Sequence, residues 1–127
     1  MQSIKVSEVM SRKLVTASEE ETLSQVAEKM LKARVGSVVI VSDRRVVGIV
    51  TEKDFVKFFA SRLSPDESVK HHMTRNVITV NETTSINDAK NIMVSQKIRH
   101  VPVVNQHGEL VGMVTVRDLV ECIETLI

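Results

Sequence analysis

Tryptophan and tyrosine are absent from these 127 residues, and phenylalanine occurs three times. Such a chain offers no aromatic platform on which single-stranded nucleic acid could stack. Charge gives no opening either. The 17 Lys and Arg stand against 16 Asp and Glu, a formal net +1 with both signs interspersed, so no basic face argues for nucleic acid. A single cysteine, Cys122, excludes an internal disulfide and fits a reducing compartment. At helical spacing beside Leu119 and Ile123 it reads as a small core or interface residue. No apolar run approaches membrane-spanning length, and Met1-Gln2-Ser3-Ile4-Lys5 lacks the apolar stretch of a signal peptide. The expectation is a cytoplasmic protein with no membrane or nucleic-acid partner, its core filled by Val and Ile.

What the chain does have, it has twice. Gly48-Ile49-Val50-Thr51-Glu52-Lys53-Asp54 returns as Gly112-Met113-Val114-Thr115-Val116-Arg117-Asp118, each closing a unit of about 60 residues. A shift of 63 positions aligns Val6 with Val69, Met10 with Met73, Arg12 with Arg75, Thr16 with Thr79 and Met30 with Met93. The match runs on through Val38/Val101 and Val41/Val104, and one extra residue between Asn105 and Glu109 then makes the shift 64. Neither copy is large enough to bury an adequate core alone. Two units packed face to face fit better than an open array.

The order within each copy reads β-α-β-β-α, a mixed α/β (α+β) pattern. A short helical turn (Val6–Met10, Val69–Met73) precedes a brief strand (Leu14–Thr16, Val77–Val80). Leu23, Val26, Ala27, Met30 and Leu31 then form an apolar stripe at helical spacing, with Ile86, Ala89, Ile92 and Met93 as its counterpart. Thr83, Thr84 and Ser85 offer a cap for the second of these helices. Val38–Val41 with Val46–Val50, and Val101–Val104 with Leu110–Val114, predict two hairpins. The first turn, Ser42-Asp43-Arg44-Arg45, has no glycine; the second is wider, with Gly108 and a bulge. Closing helices are predicted at Glu52–Ala60 and Val116–Thr125. The repeats therefore span residues 1–62 and 69–127, joined by a linker at 63–68 that contains Pro65.

Thr51 and Asp54, like Thr115 and Asp118, stand where the last strand of a copy turns into its closing helix. Thr-x-x-Asp is a common helix cap, the carboxylate satisfying amides at the helix start. The same geometry presents positive potential to a phosphate, and a carboxylate one turn in can accept both hydroxyl hydrogens of a ribose. The recurrence of the whole pattern behind glycine and an apolar strand favours the second reading. Together with Val-x-x-Val-Met at 6–10, Val-Gly-Ser-Val-Val-Ile-Val at 35–41 and Arg-His-Val-Pro-Val-Val at 99–104, these segments resemble a tandem pair of CBS domains, a Bateman module. The resemblance covers nearly the whole chain.

That resemblance implies two repeats packed with pseudo-two-fold symmetry, and clefts between them for adenosine-containing ligands. AMP, ADP or ATP stand ahead of S-adenosylmethionine or NAD. It implies that Asp54 holds ribose hydroxyls and Thr51 reaches toward ribose or phosphate in one cleft, with Val77, Ile78, Val101 and Pro102 around the adenine. In the other cleft Thr115 and Asp118 pair with Leu14, Val15, Ser37 and Val38. Arg99 and His100 would face the phosphates in the Asp54 cleft; the aligned positions in the first copy are Gly36 and Ser37. Arginine binds phosphate through a rigid fork of donors, so the Asp54 cleft is expected to prefer phosphorylated ligands. A homodimer through the helices is implied, as is a regulated protein partner.

Other residues carry less. Adjacent histidines His71 and His72 point to different sides of a short helix and lack further ligands for a metal. Met10, Met30, Met73 and Met93 occupy matched positions, which argues for core packing. Phe58 and Phe59 have no aromatic counterpart and suggest an exposed partner surface. No nucleophile stands beside an identifiable base, so catalysis is not expected and no cofactor is required. The expected function is a regulatory module that senses an adenine nucleotide. The alternative is a ligand-free scaffold of the same fold in which Thr51 and Asp54 are merely caps.

Overall fold

The computed structural model describes residues 4–126 and, within the last helix, side chains as far as Cys122. The elements run β1 (Thr16–Ala17), α1 (Leu23–Ala33), β2 (Ser37–Ser42), β3 (Arg45–Thr51) and α2 (Glu52–Ala60). The same series repeats as β4 (Val80–Asn81), α3 (Ile86–Gln96), β5 (His100–Val104), β6 (Leu110–Thr115) and α4 (Val116–Leu126). A 3-10 turn precedes each series, at Val6–Glu8 and Val69–His71. The fold is mixed α/β, with two three-stranded sheets ordered β1-β2-β3 and β4-β5-β6.

The chain divides into two compact units, and they do not follow the sequence repeats. One is Val15–Val77; the other joins the segment up to Leu14 with everything from Ile78 onward. The opening turn of each repeat is thus built into the unit that holds the other repeat's sheet. Val6 N–H donates to the Thr84 carbonyl at 2.8 Å, and Ser11 exchanges backbone bonds with Met113 at 2.9 and 3.0 Å. In the other unit Val69 N–H reaches the Glu21 carbonyl at 2.8 Å, and Thr74 exchanges two 3.0 Å bonds with Ile49.

Each unit has its own core. Ala17, Leu23, Val26, Met30, Val38, Ile40, Val50, Val69 and Met73 fill the first. Val6, Met10, Val80, Ala89, Met93, Val101, Val103, Val114 and Leu119 fill the second. All four matched methionines are buried, as their repetition suggests. Two of them explain the motif glycines. A Cβ built on Gly48 would collide with Sδ of Met73 and lie 2.7 Å from its Cγ. On Gly112 it would meet Sδ of Met10 and lie 2.9 Å from Cγ. Neither glycine has the positive φ that would demand it; the need is for space.

Local chemistry sets the element ends. Thr22 and Ser85 accept from the amides of Gln25 and Asp88 at 3.1 Å and so start α1 and α3. Both helices end on a left-handed residue, Arg34 and Lys97, each with φ 56°. The β2–β3 turn is a two-residue loop with Asp43 and Arg44 at φ 50° and 67°, the primed type that matches strand twist. The longer β5–β6 turn places Gly108 at φ 78°, and Asn105 Oδ1 accepts from the amides of His107 and Glu109 at 2.9 and 3.0 Å.

Three expectations need correction. The first strand of each copy is two residues long and begins later than Leu14 or Val77, because only Thr16-Ala17 and Val80-Asn81 come into register with β2 and β5. Leu31 is not on the buried stripe; it is 80% exposed. Phe58 packs against the core of its unit, so Phe59, 88% exposed, is the one aromatic left outward on α2.

Candidate functional site

The two Thr-x-x-Asp segments are built alike. Thr51 ends β3 and is the N-cap of α2. Asp54 Oδ2 accepts the Thr51 amide at 2.8 Å and the Thr51 hydroxyl at 3.2 Å. Asp118 Oδ2 receives Thr115 at the same distances, and the Asp118 amide returns a 3.3 Å bond to Thr115 Oγ1. Both aspartates are therefore caps, with one oxygen committed to the backbone. Their other oxygen, Oδ1, takes no hydrogen bond from the described residues. All four side chains are partly buried. Each site thus keeps one oriented carboxylate oxygen at a helix start, where an acceptor of two hydroxyls is held in place by the cap beneath it.

The neighbouring strand begins at the same end. Ser37 lies opposite Thr51 across β2–β3, and His100 opposite Thr115 across β5–β6. The carbonyl of the residue before each accepts from the first amide of the helix: Glu52 N–H donates to Gly36 O, and Val116 N–H to Arg99 O, both at 3.1 Å. Sequence patterns miss this second anchor because a backbone carbonyl has no residue signature. The repeated Gly48–Met73 and Gly112–Met10 contacts lie three residues before each threonine, and the matched spacing of those four residues was the only signal for them.

Of the remaining expected site residues, Val77 lies in the unit of Thr51 and Asp54, together with Val15, Ser37 and Val38. Leu14, Ile78, Arg99, His100, Val101 and Pro102 lie in the unit of Thr115 and Asp118. Val38, Val101 and Pro102 are fully buried, so only their backbone could serve a ligand. Ser37 is buried as well, Leu14 is 40% exposed, and Arg99 is exposed. Among the described residues no three His, Cys, Asp or Glu gather as a metal site, and no helix is long and apolar enough to cross a membrane. His72 binds Glu67 at 2.8 Å.

With this geometry in view, the family model for the CBS domain matches residues 6–61 and again 68–125. The chain belongs to the CBS-domain family, as a tandem pair. A protein of Methanopyrus kandleri, uncharacterized, is 40% identical over 124 residues, 95% of this CBS pair and 63% of that protein. The pair thus spans somewhat less than two thirds of that relative's length. A CBS domain protein from Pyrobaculum aerophilum, solved in complex with AMP, superposes with a TM-score of 0.87 at 37% identity, covering 91% of this chain and 90% of that one. The CBS domain pair of protein MJ0100, solved with 5′-methylthioadenosine and S-adenosyl-L-methionine, gives 0.91 at 27% identity over 99% and 100%.

Proposed function

We propose that this CBS pair is a regulatory module that binds an adenosine-containing ligand, with Asp54 and Asp118 each receiving a ribose through Oδ1. The observation that carries the reading is the duplicated cap: the carboxylate is oriented by its own threonine and still has one oxygen to offer. Two solved relatives hold adenosine compounds, AMP in one and 5′-methylthioadenosine with S-adenosyl-L-methionine in the other. AMP, ADP or ATP are the preferred ligands here. Val77, Ile78, Arg99, His100, Val101 and Pro102 are assigned to the Asp54 site, and Leu14, Val15, Ser37 and Val38 to the Asp118 site, by likeness to the family. Arg99 is exposed and its guanidinium takes no partner among the described residues, which suits a phosphate contact. Ligand occupancy would shift the module, as a homodimer or on a partner protein, by no more than its differential affinity for the two arrangements.

Calorimetric titration of AMP into wild type, Asp54→Asn and Asp118→Asn tests this. Asparagine can still accept the threonine amide, so the cap survives while the charged acceptor is lost. Affinity at the altered site is expected to fall about ten- to a hundredfold. AMP, ADP, ATP, S-adenosylmethionine and NAD all failing to bind at millimolar concentration would overturn the proposal. The scaffold reading has its own support: Asp54 and Asp118 do cap their helices, a sufficient reason for their presence. It predicts unchanged melting temperature with every ligand.

A further inference from the structure

The Thr-x-x-Asp caps are alike in both repeats, but the short strand that opens each sheet is held differently. Strand β1 is two residues long and lies at the edge of its sheet, paired with β2 alone. Just before it, the Val15 carbonyl accepts from Val39 N–H at 3.3 Å. A side chain adds a second hold. Lys29, midway along α1, donates from Nζ to the Thr16 carbonyl at 2.7 Å and to Glu21 Oε2 at 3.0 Å, with Glu21 Oε1 at 2.8 Å. Glu21 is itself fixed: Oε2 accepts from Ser18 N–H at 2.8 Å, and its carbonyl from Val69 N–H at 2.8 Å. The Lys29 and Glu21 side chains are only 39% and 22% exposed, so water competes for these bonds less than at an open surface. In the other repeat the aligned residues are Ile92, Thr79 and Thr84. Isoleucine has no donor to give, and Ile92 packs against the core of its unit instead.

We propose that Lys29 is a positioning residue for ligand binding: it orders the segment Leu14–Thr16 in advance, so that the Asp118 site meets the adenosine part of a ligand with its backbone already placed. The proposal rests on the reading above, which assigns Leu14 and Val15 to the Asp118 site and Val77 and Ile78 to the Asp54 site. Apolar residues such as these can recognise a purine only through backbone N–H and C=O groups, and a two-residue edge strand holds such groups loosely. A charged donor on the Thr16 carbonyl makes a stronger bond than a neutral one. Backbone ordered beforehand lowers the entropy lost when the ligand arrives. Val77 and Ile78 lead into β4 without this donor. Lys29 is engaged by a carbonyl and a carboxylate, so its effect passes through Thr16 and is the same whether or not the ligand carries a phosphate.

Each site can be followed by weakening the other: Asp54→Asn leaves the Asp118 site intact, and Asp118→Asn leaves the Asp54 site. Adenosine and AMP are titrated calorimetrically into the full chain in both backgrounds, with and without Lys29→Met, which keeps the length of the side chain and removes the donor. In Asp54→Asn protein, Lys29→Met is expected to weaken both ligands by one common factor, about three- to tenfold, and Lys29→Arg to restore most of that loss. In Asp118→Asn protein the change is expected to stay within about twofold. Lys29 and Asp54 belong to the same unit, so binding retained there also shows that the variant is folded. Equal loss at both sites would make Lys29 a structural residue and overturn the proposal. Loss for AMP alone would overturn it too, since Lys29 would then act on the phosphate. Unchanged affinity in Asp54→Asn protein would remove the role of Lys29 while leaving ligand binding at Asp118 standing. Neither ligand binding in either background would overturn the nucleotide reading and this proposal together.

Discussion

Gly48 and Gly112 occupy ordinary strand backbone, and what matters about them is the side chain they lack. Each leaves the space that a methionine from an opening turn fills. Gly48→Ala is expected to cost about 1–3 kcal/mol in urea unfolding, because Met73 is buried and must shift within a packed core. Adding Met73→Ala should bring the double mutant below the sum of the two single costs, since the clash is then gone. A second residue-scale effect concerns Glu21. Burial raises its carboxyl, but the Lys29 hydrogen bond at 3.0 Å and the Ser18 amide at 2.8 Å outweigh this and hold it below 4.5. A lowered folded value means stability present at neutral pH and lost as pH falls through it. Glu21→Gln should therefore lower the melting temperature at pH 7 and converge with wild type in acid, as thermal scans across pH can check.

At the scale of elements, periodicity located the helices well and their outer faces less well. Leu23, Val26 and Met30 of the stripe are buried, yet Leu31 is exposed, because i, i+4 and i+8 spacing cannot say where the buried arc ends. Helix α2 shows the same limit. Phe55, Phe58 and Phe59 are equally apolar in sequence, but only Phe55 and Phe58 pack on the core while Val56 and Phe59 stay outward. Phe58→Ala should cost about 1–3 kcal/mol, less than a fully buried phenylalanine. Phe59→Ala should stay within about 0.5 kcal/mol for the monomer. Denaturant midpoints for the two variants separate the faces. A larger loss for Phe59→Ala that depends on protein concentration would mark that face as an association surface.

For the whole molecule, the compact units and the sequence repeats cross. Residues up to Leu14 belong by sequence to the first repeat and by packing to the sheet of the second; residues from the linker to Val77 do the reverse. Met10→Ala is accordingly expected to lower hydrogen-exchange protection in β5 and β6, with little effect in β2 and β3, and Met73→Ala to show the opposite pattern. Each should cost about 2–5 kcal/mol in its unit. Loss confined to the repeat that contains the mutated residue in sequence would contradict the crossed packing.

The sequence by itself determined the repeat, the β-α-β-β-α order, the family and the two Thr-x-x-Asp ends. These are local or periodic features, and duplication states each of them twice. The closing helix Glu52–Ala60 was predicted to the residue because Thr51 and Asp54 carry the start signal in their own side chains. Only the tertiary structure decided the crossed units, the reason for Gly48 and Gly112, the outward turn of Leu31 and the seating of His72 beside Phe58. Each of these depends on a partner far along the chain: Met73 for Gly48, Met10 for Gly112, Phe58 for His72. Periodicity records which residues are apolar. Which surface each one meets is set by the long-range closure of the chain.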